Sequence, residues 1–246
     1  MGTFLLAQGW AGLHFGDTLR RVEEEAQTGF SLLALRERAG AVRAVALAHG
    51  TRLHLYAPSR EGFPAAAGLL AERLGSLDRV TCLEAHLAGD PGPAFEASVR
   101  EMTVAATLRV PARPLLPVRV ATSADAEELW RTYDSVPWMR LASPAEWAAR
   151  VERERTWIAE LDGGMVAAAR WTKSFGTVVE VGGVATTPER RRRGAATSVV
   201  MAATAAALDE GLTPVLCFQG PELRPLYYPL GFEFVGREFV FRRRPG

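Results

Sequence analysis

The residues best able to do chemistry lie in one stretch: Val181-Gly182-Gly183-Val184-Ala185-Thr186-Thr187-Pro188-Glu189-Arg190-Arg191-Arg192-Arg193-Gly194-Ala195-Ala196-Thr197. Valines and threonines favour a strand up to Thr187. Pro188 ends the ladder because it has no amide hydrogen to donate. The Ala-rich run from Ala195 to Leu208 has strong helix propensity. A loop that opens a helix leaves amides unpaired, and those amides, at the positive end of the helix dipole, bind anions. Gly194 lets a ligand come close to the backbone. Four arginines stand beside this anion site, so a pyrophosphate is the simplest ligand. Taken alone, Arg190–Arg193 also fits a solvated basic patch or a nucleic-acid contact.

The spacing Arg191-x-x-Gly194-x-Ala196 resembles the R/Q-x-x-G-x-G/A loop of the GNAT superfamily of acetyl-CoA-dependent N-acetyltransferases. The preceding Gly183–Glu189 run is similar to that family's strand leading into the loop. Downstream, Leu226-Tyr227-Tyr228-Pro229-Leu230-Gly231-Phe232 resembles its L-Y-x-x-x-G-F signature. The likeness covers about Leu116 to Gly246.

It implies acetyl-CoA as co-substrate. Backbone amides of Arg192, Arg193, Gly194, Ala195, Ala196 and Thr197, with Arg191, would cradle the pyrophosphate. Val184, Ala185 and Thr186 would line the pantetheine arm, with an amide near Val184 polarising the thioester carbonyl. Gly182-Gly183 fits a bulge or splay in that strand; close packing against a helix is the alternative. Glu180 occupies the place of the family's strand glutamate. Among Val178, Val179 and Val181 it is the one ionisable group, suited to act as base or substrate anchor if buried, or else a surface glutamate. Tyr227 matches the tyrosine that can give a proton to the departing thiolate; the alternative is a core aromatic. Gln219 stands where many members carry asparagine, and Pro225 interrupts the helix before the motif.

These residues need a frame. Val118–Ala121 reads as a strand and Ala124–Tyr133 as a helix. Ser143, Pro144 and Glu146 form a capping box opening a second helix to about Arg153. Thr156–Leu161 and Val166–Thr172 read as a hairpin about Asp162-Gly163-Gly164. Thr177–Thr187 is the central strand and Ala195–Asp209 the main helix, closed by Gly211. Pro214–Phe218 is a buried strand, Pro221–Tyr228 a short helix and Phe232–Arg242 a last strand. Trp138, Met139, Trp147, Trp171 and Phe175 are candidates to shape an apolar acceptor site, or core residues.

The N-terminal half reads as a strand at 4–8, helices at Asp17–Gln27 and Ser31–Arg38, strands at Val42–Ala48 and Arg52–Ala57, a helix at Pro64–Leu74 and a strand at Arg79–Leu83. Ala94–Val110 reads as helix first, then strand. That succession is also the opening order of a GNAT domain, although Ser59–Phe63 lacks the loop spacing. Pro111, Pro114 and Pro117 mark a linker. The expected fold is α/β: a GNAT-like mixed, mostly antiparallel sheet flanked by helices, with two such domains in tandem. Residues 1–112 form the N-terminal α/β domain, a degenerate GNAT-like one or an unrelated one, and 113–246 the acetyltransferase domain.

The whole chain agrees. Its 246 residues are 48% apolar with a net charge of +1, which suits one large or two small domains and argues against general nucleic-acid binding. No apolar run reaches membrane-spanning length, so a cytoplasmic protein is expected. Lys173 is the only lysine among 29 Lys and Arg. The four histidines show no metal spacing, and Cys82 and Cys217 read as buried free thiols. The expected function is acetyl transfer from acetyl-CoA to a primary amine, on a small molecule or peptide, without a metal. A silent acetyl-CoA sensor is the alternative, and a homodimer stays open.

Overall fold

The computed structural model describes residues 12–24, 30–36, 42–57, 67–68, 70–71, 73–83, 92–105, 114–136 and 139–245. The strand expected at 4–8, the turn Ser59–Phe63 and Trp138 lie outside them. The chain divides into two units. One comprises Met1–Thr103, Cys217–Pro221 and Phe234–Gly246; the other comprises Val104–Leu216 and Glu222–Glu233.

The first unit contains α1 (Leu13–Glu24), β1 (Phe30–Arg36), β2 (Val42–His49), β3 (Arg52–Tyr56), β4 (Arg79–Leu83) and most of β5 (Phe95–Ala105) and of β11 (Phe232–Arg243). Its strands run in the order β1-β2-β3-β4-β11-β5. β1/β2, β2/β3 and β4/β11 are antiparallel and β3/β4 is parallel. Between β3 and β4, Ala67, Gly68, Leu70, Ala71 and Arg73 are helical. Ala44, Ala46, Leu53, Leu55, Val80, Cys82 and Phe241 form the core. Burial among these apolar neighbours pushes the Cys82 thiol up to about 12.

Two expectations fail in this unit. Of the helix expected at Ser31–Arg38, the described part Ser31–Arg36 is strand, because its leucines belong to β1, which pairs with β2 from Phe30↔His49 to Arg36↔Val42. The helical start expected in Ala94–Val110 is absent, since Phe95–Ala105 is strand throughout. In both, cross-strand pairing outweighs the local propensity of Leu, Ala, Glu and Arg. The first helix also starts earlier than expected. Asp17 is therefore interior to α1, where it is buried and binds Arg20 and Arg21 at 2.9 Å each rather than capping the helix.

The second unit contains β6 (Val118–Val120), α2 (Ala126–Asp134), α3 (Pro144–Arg153), β7 (Thr156–Leu161), β8 (Gly164–Phe175), β9 (Val178–Thr186), α4 (Ala195–Asp209), the start of β10 (Thr213–Phe218) and α5 (Arg224–Tyr227). Its strand order is β10-β9-β8-β7-β6. β6 to β9 are antiparallel neighbours, and β9/β10 is parallel. This is an α/β fold with a mixed sheet flanked by helices.

Local chemistry explains the elements. The Ser143 hydroxyl accepts the Glu146 amide, and the Glu146 carboxylate takes the Ala142 amide, closing the capping box one residue further out than usual. The β7–β8 turn puts Asp162 (φ 55°) and Gly163 (φ 79°) in the left-handed region that a two-residue hairpin turn requires. Gly211 (φ 70°) closes α4 as expected. Helix α4 is apolar nearly all round and packs on β7, β8 and β9. Its alanines allow that close approach, and the Trp171 indole N–H donates to the Ala203 carbonyl at 3.1 Å. Tyr133, Trp147, Leu129 and Ile158 build the core beneath α2 and α3.

Candidate active site

The site is built along β9 and the loop that follows it. β9 pairs with β10 at Val178↔Thr213, Val179↔Pro214 and Glu180↔Val215, and there the pairing ends. β9 continues to Thr186 and β10 to Phe218. Val184, Ala185 and Thr186 thus follow the point where the two strands part, with their β10-facing edge open.

On its other edge β9 bulges. Ala168 faces Ala185 and Arg170 faces Gly182, so Gly183 and Val184 stand opposite Ala169 alone. Gly183 adopts φ 57°, which only glycine takes at low cost. A Cβ there would lie 2.5 Å from Nε and 3.0 Å from Cγ of Arg170. The bulge carbonyl at Gly183 accepts the Tyr133 hydroxyl, and Arg170 is paired with Glu154. Tyr133 stacks on Trp147 with ring centroids 4.3 Å apart, and burial pushes its phenol up to about 12. Nothing in the sequence brings Tyr133 to Gly183, fifty residues away; the contact exists only once α2 packs on the sheet.

After β9 the chain makes a short turn, Pro188–Arg190, and enters α4 through Gly194 at φ 79°. Arg192 sits at φ 60°, a conformation that costs a non-glycine residue about 1 kcal/mol or more. No acceptor among the described residues takes the amides of Arg192 to Thr197. The first amide of the helix to be satisfied by its carbonyl ladder is Ser198, donating to Gly194 at 2.9 Å. The Ser198 hydroxyl also accepts the Leu116 amide at 3.0 Å, tying the segment before β6 to the start of α4. The four arginines divide in two. Arg190 binds Asp162 at 2.9 Å, while Arg191, Arg192 and Arg193 are exposed with no acidic partner among the described residues. A run of unpaired amides, a helix N-terminus and three unopposed guanidiniums fit a pyrophosphate.

Glu180 is buried, and it is not the solitary ionisable group expected. Lys173 Nζ lies 2.5 Å from Glu180 Oε2, and the Thr172 hydroxyl donates to the same oxygen. The sequence held a signal for this. A reversal about Gly176-Thr177 places Phe175 opposite Val178, and Lys173 then falls opposite Glu180. Gly182 adjoins the same group, because a Cβ there would lie 2.8 Å from Thr172 Oγ1.

Tyr227 lies on α5, which packs on α4. It is buried, meets Phe232 edge-on at 6.4 Å, and its phenol is pushed up to about 12 by burial. Pro225 stands in the first turn of α5, where its missing N–H is harmless. Gln219 accepts the Ser98 hydroxyl at 3.1 Å. Of the aromatic candidates, Trp147 is core, Trp171 is held by α4, Met139 packs on the α2–α3 core and Phe175 ends β8.

No described helix is long and apolar enough to cross a membrane, and no group of metal-ligating side chains is present among the described residues. Residues 123–232 match the model of the acetyltransferase (GNAT) family. No curated protein matches the chain. Among solved structures, it is similar to a GCN5-related N-acetyltransferase from Kribbella flavida, at 18% identity over 97% of both chains with a TM-score of 0.63. It is also similar to a GNAT-family acetyltransferase from Colwellia psychrerythraea, at 13% identity over 86% of this chain and 84% of that one, TM-score 0.60. A GCN5-related N-acetyltransferase from Sphaerobacter thermophilus aligns at 13% identity over 93% and 86%, TM-score 0.59.

Proposed function

We propose, from the premise that residues 123–232 are a GNAT acetyltransferase domain, that this enzyme moves an acetyl group from acetyl-CoA to a primary amine by direct attack in a ternary complex. The observation that carries the reading is continuous along the chain. β9 parts from β10 at Glu180, and the same strand then runs into the unpaired amides of Arg192–Thr197. Those amides, with Arg191, Arg192 and Arg193, hold the pyrophosphate; the open edge of β9 from Val184 to Thr186 holds the arm. When bound, acetyl-CoA supplies an activated acyl carbon and a thiolate leaving group.

Glu180 receives the acceptor amine and takes its proton, with Thr172 fixing the carboxylate. Tyr227 faces the leaving group. Its phenol, at about 12, keeps its proton throughout the neutral range. Passing that proton wholly to a thiolate of ordinary pKa near 8.5 is uphill by about 5 kcal/mol. Tyr227 therefore acts as a hydrogen-bond donor rather than a full acid. The amine is a small molecule or a peptide.

The tandem organisation belongs to the same proposal. A strand, a helical segment and a parallel strand occur as β3 to β4 and again as β9 to β10. This supports reading the N-terminal part, 1–112, as a GNAT-like unit without the cofactor loop.

The test is thiol release from acetyl-CoA across a panel of primary amines, with both substrates varied. Intersecting reciprocal plots are expected, along with at least a roughly hundredfold loss of kcat in Glu180→Gln. Parallel plots overturn direct attack. Binding without release for any amine, and no effect of Glu180→Gln, favours a sensor.

A further inference from the structure

We propose that Lys173 is an acetylation site of the protein itself, modified in cis at the active centre. The inference rests on the acetyl-CoA reading given above. It starts from composition: Lys173 is the only lysine in 246 residues, every other long basic side chain being arginine. A guanidinium is never deprotonated in the working range and is no nucleophile toward a thioester, whereas a lysine amine is one once it loses a proton. This chain keeps a single such side chain.

That side chain stands at the point where the reaction is placed. Its Nζ contacts Glu180 Oε2, with the Lys173 side chain 24% and the Glu180 side chain 7% exposed. Glu180 is the last β9 residue paired with β10, and the open edge of β9 starts beyond it. An ammonium seated on Glu180 is the arrangement that an acceptor amine needs. The protein's own lysine already adopts it, held in register by the β8–β9 hairpin. Such fixed proximity raises the effective concentration of an intramolecular nucleophile by orders of magnitude.

The step balances. Glu180 takes one proton from the Lys173 ammonium. The neutral Nζ attacks the thioester carbonyl carbon, the C–N bond forms, and the C–S bond breaks as the thiolate leaves. The second Nζ proton goes to the thiolate, and Glu180 returns its proton to water. The product amide is no acyl donor, so Nε-acetyl-Lys173 is a modified enzyme and not an intermediate. Its nitrogen carries no charge, and Glu180 loses its ion-pair partner.

The experiment incubates the purified full chain with acetyl-CoA and no amine, following intact mass, peptide masses and the melting midpoint together. Expected is the mass of one acetyl group on the Lys173 peptide, at a rate that saturates with acetyl-CoA and is independent of protein concentration. The gain is absent in Lys173→Arg and slowed about a hundredfold in Glu180→Gln. A midpoint shift with no acetyl on Lys173 overturns the proposal and leaves the cofactor reading standing. Acetylation only at the Met1 amine, or Lys173 acetylation equally fast in Glu180→Gln or in the urea-unfolded chain, overturns it too. Neither shift nor mass gain overturns both.

Discussion

Two glycines in the site share a left-handed backbone but differ in what surrounds them, and alanine should tell them apart. Gly183 and Gly194 have φ of 57° and 79°. Either position costs an L-residue roughly 1–2 kcal/mol in backbone strain. At Gly194 the new Cβ meets only Leu115 Cδ1, at 2.6 Å, and Leu115 is 64% exposed and free to swing away. Gly194→Ala should therefore cost about 1–2 kcal/mol and little more. At Gly183 the Cβ falls 2.5 Å from Arg170 Nε. Arg170 is buried and its far end is fixed to Glu154. It cannot clear the methyl without breaking that pair, and a broken buried pair costs about 3–5 kcal/mol. The total for Gly183→Ala is roughly 4–7 kcal/mol. Urea unfolding with unchanged slope measures both variants. In an Arg170→Ala background, Gly183→Ala should fall back to about 1–2 kcal/mol, a coupling that a double-mutant cycle reports. Equal costs for the two glycines, within about 1 kcal/mol, or no relief by Arg170→Ala, would refute the reasoning.

Two further outcomes follow from the tyrosines. Tyr133→Phe strands the part-buried Gly183 carbonyl and should destabilise by about 1–3 kcal/mol in the same unfolding assay. Tyr133 and Tyr227 both have folded pKa values raised to about 12. The stability each lends is fully present below the unfolded phenol's pKa of about 10 and is lost as pH rises through about 12. That is roughly 3 kcal/mol apiece. Unfolding free energy should fall over that window, and Tyr133→Phe and Tyr227→Phe should each flatten part of the fall.

The sequence was most legible where structure is set locally. The bounds of α4 follow from Gly194, the alanine run and Gly211; the start of α3 from Ser143 and Glu146; the β7–β8 turn from Asp162-Gly163. Legibility failed where distant partners decide. Phe30–Arg36 carries helix-forming Leu, Ala and Arg, and only β2 makes it a strand. Along the site, the glycine pair announced the bulge, and the arginine run with Gly194 marked the loop that opens α4. The identity of what fills the bulge, Arg170 with Glu154 and the Tyr133 hydroxyl, depends on α2, α3 and β8 meeting at β9, which no short spacing encodes. Lys173 lies between these cases, because the hairpin register encodes its place opposite Glu180 in a form a careful pairing of residues could read.

The central claim is that the β9–α4 loop binds acetyl-CoA, and the melting midpoint with and without excess acetyl-CoA tests it most directly, with the Arg191→Ala/Gly194→Glu variant alongside. The variant removes a guanidinium and sets a carboxylate among the free amides. At about a hundred times the dissociation constant, binding adds roughly 2.7 kcal/mol, worth about 5–11 °C for a chain of this size. The account predicts that shift in the unmodified protein and its loss in the variant. No shift in the unmodified protein, or an equal shift in both, would contradict it.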